Sequence, residues 1–258
     1  MTEPAAILPH VRRGAGDAVP LVFLHGFAGS AAGWVNLQIA LERRRGSIAF
    51  DLPGHGKAAD RRPIGHAGVA MRAVLDSLDG LGVARCHLVG HSMGGAVASL
   101  LAVKAGDRVA SLTLLAPGGY GREIAAGLLR AYARARSADE IGRLLAGFFG
   151  PGFALPRRMA EEIARERTEP GRTAPLAEIA EAILDGDGQK TLRREDLAGL
   201  SMPVKVIWGL CDGVLPVGQA EGLPGAFALH RLAGVGHMPH LEAPRLVARL
   251  LAEQIAHG

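Results

Sequence analysis

The chain has 258 residues, 48% of them hydrophobic, which predicts a folded chain rather than a disordered one. The formal net charge is only +4, and aromatic residues, at 4%, are not interleaved with a basic cluster, which argues against nucleic-acid binding. The sequence contains no run of about 18 apolar residues, so no membrane span is predicted. The first residues also lack the pattern of a signal peptide. Both cysteines, Cys86 and Cys211, are expected to be small core residues, and we expect a cytoplasmic protein without a membrane partner.

Short apolar runs recur along the chain, each followed by a turn or a helix-like segment. The runs are apolar throughout rather than alternating, a pattern typical of parallel strands that helices cover on both faces. This repeated alternation predicts an α/β fold with a mostly parallel central sheet. The predicted strands are residues 21–24, 47–50, 86–89, 111–116, 204–208 and 226–232.

A long segment, residues 119–200, separates the fourth predicted strand from the fifth. It contains helical patterns at residues 123–129 and 138–145. We expect a helical cap or lid above the carboxyl edge of the sheet, where ligands bind in open α/β sheets. Residues 1–118 and 201–258 would then form the core. The alternative is a solvated peripheral subdomain with no gating role.

The segment Gly90-His91-Ser92-Met93-Gly94 lies between a strand-like run and a helix-like run. A serine at such a junction sits on a sharp, strained turn that exposes its hydroxyl above the sheet. The two glycines are needed because the strand and the helix approach each other closely there. The sequence therefore predicts that Ser92 is a nucleophile.

A serine hydroxyl needs a base to take its proton, and the base needs an orienting acid. Asp212 follows the fifth predicted strand and His237 follows the sixth, so both would lie at the same sheet edge as Ser92. Asp212 could instead be a turn or helix-capping residue. His240 competes with His237 as the base, but we expect it to enter the following helix. His91 is expected to pack beside the serine turn.

The negative oxygen of a tetrahedral intermediate needs preorganised N–H donors. One candidate donor is the amide of Met93, which follows the nucleophile at a helix N-terminus. The other is the amide of Phe27, which follows the pair His25-Gly26 in a glycine-rich loop. The alternative for this loop is a plain turn. No histidine spacing indicates a metal site, and no cofactor is expected.

Together these motifs resemble the α/β-hydrolase superfamily. The resemblance implies an α/β-hydrolase fold in which helices flank the sheet. It implies about seven or eight strands, since the segment before residue 21 is short. Two further segments, 115–121 and 234–242, look similar to the hydrolase-like domain of acetoin dehydrogenase acyltransferase subunits, and to C–C bond hydrolases and esterases of aromatic degradation. The segments that carry the superfamily resemblance are residues 25–27, 51–56, 90–95, 208–212 and 236–237.

The same resemblance implies a role for each candidate residue. Ser92 would be the nucleophile, His237 the base, Asp212 the orienting acid, and the amides of Phe27 and Met93 the oxyanion hole. Residues 51–56 form a structural turn in this family, so neither Asp51 nor His55 is expected to be catalytic.

We expect a serine hydrolase that cleaves a small carboxylic ester or a related acyl substrate through an acyl-enzyme. The first alternative is hydrolysis of a C–C bond beside a ketone in a dienone-type intermediate of aromatic degradation. Others are acyl transfer and, outside catalysis, a ligand-binding module on the same fold. A carboxylated dienone needs a cationic anchor, and the insertion offers Arg122, Arg130, Arg134, Arg136 and Arg143. The sequence names neither the substrate nor the oligomeric state.

Overall fold

The computed structural model describes residues 7–16 and 18–256. Within these residues, seven strands form one sheet in the order β1-β3-β2-β4-β5-β8-β9, and two short strands form a separate hairpin. Every neighbouring pair in the large sheet is parallel except β1 with β3. The strands are β1 (His10–Arg13), β2 (Leu21–Leu24), β3 (Ser47–Phe50), β4 (Cys86–His91), β5 (Val109–Leu115), β6 (Leu184–Asp185), β7 (Gly188–Gln189), β8 (Val204–Gly209) and β9 (Ala228–Leu232). The predicted, mostly parallel sheet is confirmed.

Helices cover both faces of this sheet, as the uniformly apolar strands predicted. Successive side chains of a strand point to opposite faces. Accordingly, Val22 and Leu24 of β2 lie in one buried apolar cluster, while Leu21 and Phe23 lie in the other. No helix of the described residues is long and apolar enough to cross a membrane. The helices are α1 (Val35–Leu41), α2 (Ala67–Gly80), α3 (Met93–Lys104), α4 (Ala126–Arg134), α5 (Ala138–Leu145), α6 (Arg157–Thr168), α7 (Ala174–Ile183), α8 (Arg194–Ala198), α9 (Pro239–Glu242) and α10 (Pro244–Ala256).

The segment between β5 and β8 contains α4 to α8 and the β6–β7 hairpin. The helix expected over residues 123–129 begins later, at Ala126. Glu123 is held in an isolated bridge to Gly188, and the amide of Ala125 donates to the carbonyl of Val214, so both are committed outside the helix. The hairpin was not predicted, because two strands of two residues leave no periodic signal.

The two cysteines have different surroundings. Cys86, at the start of β4, is 1% exposed and belongs to the core, as expected. Cys211 is exposed, so the prediction that it lies in the core is wrong. The reason is that β8 ends at Gly209 and Cys211 lies in the following turn.

Candidate active site

Ser92 lies at the turn from β4 to α3 with φ +51° and ψ −118°. A non-glycine residue with positive φ is strained, and such strain persists only where the surroundings fix it. Here the amide of Ser92 donates to the carbonyl of Leu115 at 3.0 Å, and its own carbonyl accepts from the amide of Gly118 at 2.9 Å. The turn is thus fixed by the neighbouring strand and the loop that follows it.

Close approach of the backbone explains the two glycines around this serine. A Cβ atom on Gly90 would lie against the carbonyl oxygen of Gly94. A Cβ atom on Gly94 would lie against the carbonyl oxygens of Leu24 and His25, at the end of β2. Any side chain at either position would therefore push the helix away from the sheet.

The structure brings the three predicted catalytic side chains together. The hydroxyl oxygen of Ser92 is 2.9 Å from Nε2 of His237, and Nδ1 of His237 is 2.8 Å from Oδ2 of Asp212. A carboxylate oxygen can only accept, so Nδ1 carries the proton and Nε2 is left to accept from the serine hydroxyl. The imidazole of His237 is 2% exposed, which keeps bulk water away from this chain of hydrogen bonds.

The carboxylate of Asp212 also closes the turn after β8. Its Oδ1 accepts from the amides of Val214 and Leu215 at 2.8 and 2.9 Å, and its Oδ2 accepts from Nε1 of Trp208 at 3.0 Å. Asp212 therefore closes a turn, as one hypothesis predicted, and also contacts His237, as the other predicted. Three donors besides the imidazole fix the direction in which Asp212 meets His237.

His91 and His240 pack behind His237 without reaching the serine hydroxyl. Nε2 of His91 donates to the carbonyl oxygen of His237 at 2.8 Å, which ties the serine turn to the histidine loop. His240 lies in α9, as expected, and its ring stacks on Trp34 with centroids 4.7 Å apart. Burial lowers the pKa of His240 to about 3 and that of His91 well below its ordinary value. Both rings are therefore neutral supports.

Glu242 holds the loop of His237 in place, a role that the sequence reasoning missed. Its carboxylate accepts from the amides of Gly236 and Met238, on either side of His237, at 2.9–3.1 Å. It also accepts from the amide of Gly150 at 2.7 Å, which joins this loop to the segment before α6. The spacing of Glu242 from His237 was visible in the sequence, but only the folded loop shows what it contacts.

The two candidate oxyanion donors come from the start of α3 and from the loop after β2. Met93 is the first residue of α3, so its amide has no partner inside the helix. Phe27 follows the loop that His25 organises. Nδ1 of His25 donates to the carbonyl of Gly26 at 2.8 Å and its Nε2 accepts from the amide of Leu52 at 3.0 Å. Burial lowers the pKa of His25 to about 4, so this ring keeps the tautomer that holds the loop.

Asp51 and His55 have structural contacts. The carboxylate of Asp51 accepts from the amides of Ala31 and Lys57 at 2.7 and 3.0 Å, which joins two loops at the sheet edge. Nδ1 of His55 lies 3.1 Å from the carbonyl of Pro53. Burial is the main cause that lowers the pKa of His55 to about 3.

A cavity of about 330 Å³ opens beside Ser92 and His237. Helices α4, α5 and α6 contribute apolar side chains to its wall, so the segment between β5 and β8 faces the serine. The apolar residues of this wall include Leu129, Phe148, Phe149 and Met159.

Arg167 is a buried cation in the wall of the same cavity. It is 5% exposed, and its Nη1 donates to the carbonyls of Tyr132 and Ala135 at the end of α4. Its Nη2 is buried without a hydrogen-bond partner among the described residues, and burial lowers the pKa of the guanidinium. The five arginines considered from sequence are not part of this wall within the described chain. Arg122 and Arg130, for example, pair with Asp185 and Glu181 near the surface.

A second, smaller cavity of about 60 Å³ also borders the serine. Ser92, Phe27 and Leu129 line both cavities, whereas Met93 lines the smaller one. Nothing in the sequence indicated this division, because the smaller cavity combines α3, the loop after β5 and the end of α7.

Within the described residues, no group of three or more histidine, cysteine, aspartate or glutamate side chains is arranged to hold a metal ion. The polar groups around Ser92 are the imidazole of His237, the carboxylate of Asp212 behind it, and backbone amides. Their arrangement suits nucleophilic attack on a carbonyl followed by proton transfer to a leaving group.

Comparison with known proteins places this arrangement in a family. Residues 21–250 match the family model described as "Alpha/beta hydrolase family". This match covers most of the chain, and the chain belongs to the alpha/beta hydrolase family. The family resemblance inferred from the motifs is thereby confirmed, and it supports a hydrolase as the class of enzyme.

Individual relatives differ in activity. Over 234 residues the chain is 36% identical to the dihydrolipoyllysine-residue acetyltransferase component of the acetoin cleaving system of Pseudomonas putida, covering 91% of this chain and 62% of that protein. A second such component, from Cupriavidus necator, is 32% identical, with 90% of this chain and 62% of that protein covered. The chain thus spans under two thirds of the length of these relatives.

Among solved structures, the meta-cleavage product hydrolase of Pseudomonas fluorescens IP01 superposes with a TM-score of 0.86 at 20% identity. The match covers 96% of this chain and 93% of that one. At this level of identity the likeness shows the fold alone.

Proposed function

We propose that this protein is a serine hydrolase that cleaves a small carboxylic ester or a related acyl compound. The observation that carries the proposal is the hydrogen-bonded chain from Ser92 through His237 to Asp212, at 2.9 and 2.8 Å, beside a cavity of about 330 Å³. A serine alone would be a poor nucleophile, and a buried imidazole in the correct tautomer supplies the base it needs.

In the first half-reaction, Nε2 of His237 takes the proton as the oxygen of Ser92 attacks the carbonyl carbon. The amides of Phe27 and Met93 stabilise the negative oxygen, and removal of one such donor typically costs about 10²–10³ in kcat. Asp212 stabilises the imidazolium. The imidazolium then protonates the leaving alcohol as the carbon–oxygen bond breaks, leaving an acyl-enzyme.

In the second half-reaction, His237 takes a proton from water, whose oxygen attacks the acyl carbonyl. The tetrahedral intermediate collapses, the proton returns to the oxygen of Ser92, and the carboxylic acid leaves. The acyl-enzyme can pass its acyl group to another nucleophile instead of water. The similarity to the acetyltransferase components supports testing a thiol acceptor beside water.

Residues 119–200 act as the cap of this site, and residues 1–118 and 201–258 form the core. Support comes from the apolar walls that α4, α5 and α6 supply to the larger cavity. Residues 1–6, 17 and 257–258 of this core assignment lie outside the described part of the chain. A cytoplasmic location and a small-molecule acyl substrate complete the proposal.

The assignment of the base is tested by hydrolysis of p-nitrophenyl acetate. We expect His237→Ala to lower kcat by about 10⁴- to 10⁶-fold, because the serine loses its general base. The matched variant His240→Ala removes a buried histidine three residues away and should keep most of the turnover. Loss of turnover in His240→Ala with turnover kept in His237→Ala would overturn the assignment.

The C–C bond hydrolase hypothesis is favoured by one observation: Arg167 lines the larger cavity, and its buried Nη2 has no hydrogen-bond partner among the described residues. A guanidinium buried without a carboxylate partner is costly, and the carboxylate of a dienone substrate would supply one. Turnover of a dienone carboxylate and of its methyl ester would distinguish this reading. Arg167→Met should lower kcat/KM for the free carboxylate at least about tenfold more than for the ester. Equal losses would exclude this role.

A further inference from the structure

The catalytic serine stands between two cavities of very different size, and the position of the base decides which part of a substrate enters each. His237 lines the cavity of about 330 Å³ and, among the described residues, is not part of the wall of the cavity of about 60 Å³. The leaving group receives its proton from His237, so it must lie on the His237 side. The larger cavity therefore accepts the leaving group.

The smaller cavity lies on the side of the oxyanion donors. Phe27 and Met93 both line it, together with Ser92. A carbonyl bound at these donors, with its leaving group toward His237, directs its remaining substituent into this cavity. That substituent is the acyl chain. We call this 60 Å³ space the acyl cavity.

The volume of the acyl cavity limits the length of the acyl group that fits. A cavity of about 150 Å³ accommodates benzene, which corresponds to roughly 25 Å³ per carbon atom. By this scale the acyl cavity of about 60 Å³ holds two or three carbons beyond the carbonyl carbon. Ile124, Ile183 and Val214 supply much of its apolar wall.

We infer that the enzyme selects short acyl groups, from acetyl to butanoyl, and that Ile183 limits their length. The inference rests on the proposed function, since it assigns sides to an acyl substrate of Ser92. Ile183 is the last residue of α7 and is half-buried, so truncating its side chain lengthens the acyl cavity without removing a fully buried core residue.

The test measures kcat/KM for p-nitrophenyl esters from acetate to octanoate with purified full-length protein. Wild type should lose at least about tenfold between butanoate and hexanoate, the size of effect that one or two methylenes have in an apolar pocket. Ile183→Ala should remove most of that loss. The matched control Ile163→Ala makes the same change in α6, in the wall of the larger cavity, and should keep the wild-type dependence on acyl length.

A second variant keeps the test decisive if Ile183→Ala does not fold. Ala96 of α3 also lines the acyl cavity, and Ala96→Leu fills it. This variant should lower kcat/KM for butanoate at least about tenfold more than for acetate.

The outcomes separate the two proposals. If esters are hydrolysed but hexanoate or octanoate is preferred, or Ile163→Ala rather than Ile183→Ala changes the acyl-length dependence, the inference is wrong and the hydrolase assignment stands. If no ester of any length is hydrolysed and no acyl-enzyme forms on Ser92, both are wrong.

Discussion

At the scale of single residues, the position of the Ser92 hydroxyl depends on a backbone conformation that residues other than glycine rarely adopt. Ser92 has φ +51°, and the bonds to Leu115 and Gly118 keep it there. Such a conformation costs about 1–3 kcal/mol, and the surrounding strands and helix supply that energy. The fold is therefore expected to be less stable than it would be with an unstrained turn at this position.

This strain can be measured with two inactive variants. Ser92→Ala removes the hydroxyl and keeps the strain, whereas Ser92→Gly removes both. We expect Ser92→Gly to have a free energy of unfolding about 1 kcal/mol higher than Ser92→Ala, measured by urea denaturation at pH 7.5. At an unstrained position the order would be the reverse, so a less stable glycine variant would contradict the account.

At the scale of elements, the position of His237 depends on a loop that Glu242 fastens to the segment before α6. The carboxylate satisfies the amides of Gly150, Gly236 and Met238. Removing it leaves three backbone donors without an acceptor and frees the histidine loop.

Glu242→Ala should therefore lower the free energy of unfolding by about 2–3 kcal/mol and lower kcat for an acetate ester by about 10- to 100-fold. The control Glu178→Ala makes the same Glu-to-Ala change in an ion pair with Arg62. Both side chains of that pair are about half exposed. That pair should contribute less than about 1 kcal/mol and nothing to kcat. Equal effects of the two substitutions would refute the positioning role.

The elements also show how much the sequence can predict. The apolar runs of β2, β3, β4 and β8 have a clear signal because both faces of each strand are buried. Ser92 and Asp212 were found because each follows such a strand, and His237 was found because it follows the next predicted strand, β9, at the same edge. Arg167 and the acyl cavity were not found, because their position depends on how α4, α6 and α7 pack across long loops.

At the scale of the whole molecule, several buried histidines make the fold sensitive to acid. Burial lowers the pKa of His25 to about 4 and those of His55 and His240 to about 3. Below pH 6.5 the unfolded chain binds protons that these rings exclude in the folded state, so stability falls as the pH falls toward these values.

For His240 this effect amounts to roughly 2 kcal/mol at pH 5. His240→Phe keeps a ring that can stack on Trp34 but removes the titrating group. On going from pH 7.5 to 5, the variant should lose about 2 kcal/mol less in free energy of unfolding than wild type, measured by urea denaturation at both pH values. The same loss in both proteins would show that His240 does not contribute.

The central claim is that His237 activates the hydroxyl of Ser92, and labelling with a fluorophosphonate tests it most directly. Peptide mass spectrometry of the folded, labelled protein should find one phosphonylated residue, Ser92. The rate of labelling should fall at least about 10³-fold in His237→Ala. Folded protein that carries no adduct on Ser92, or that is labelled equally fast without the imidazole, would contradict the account.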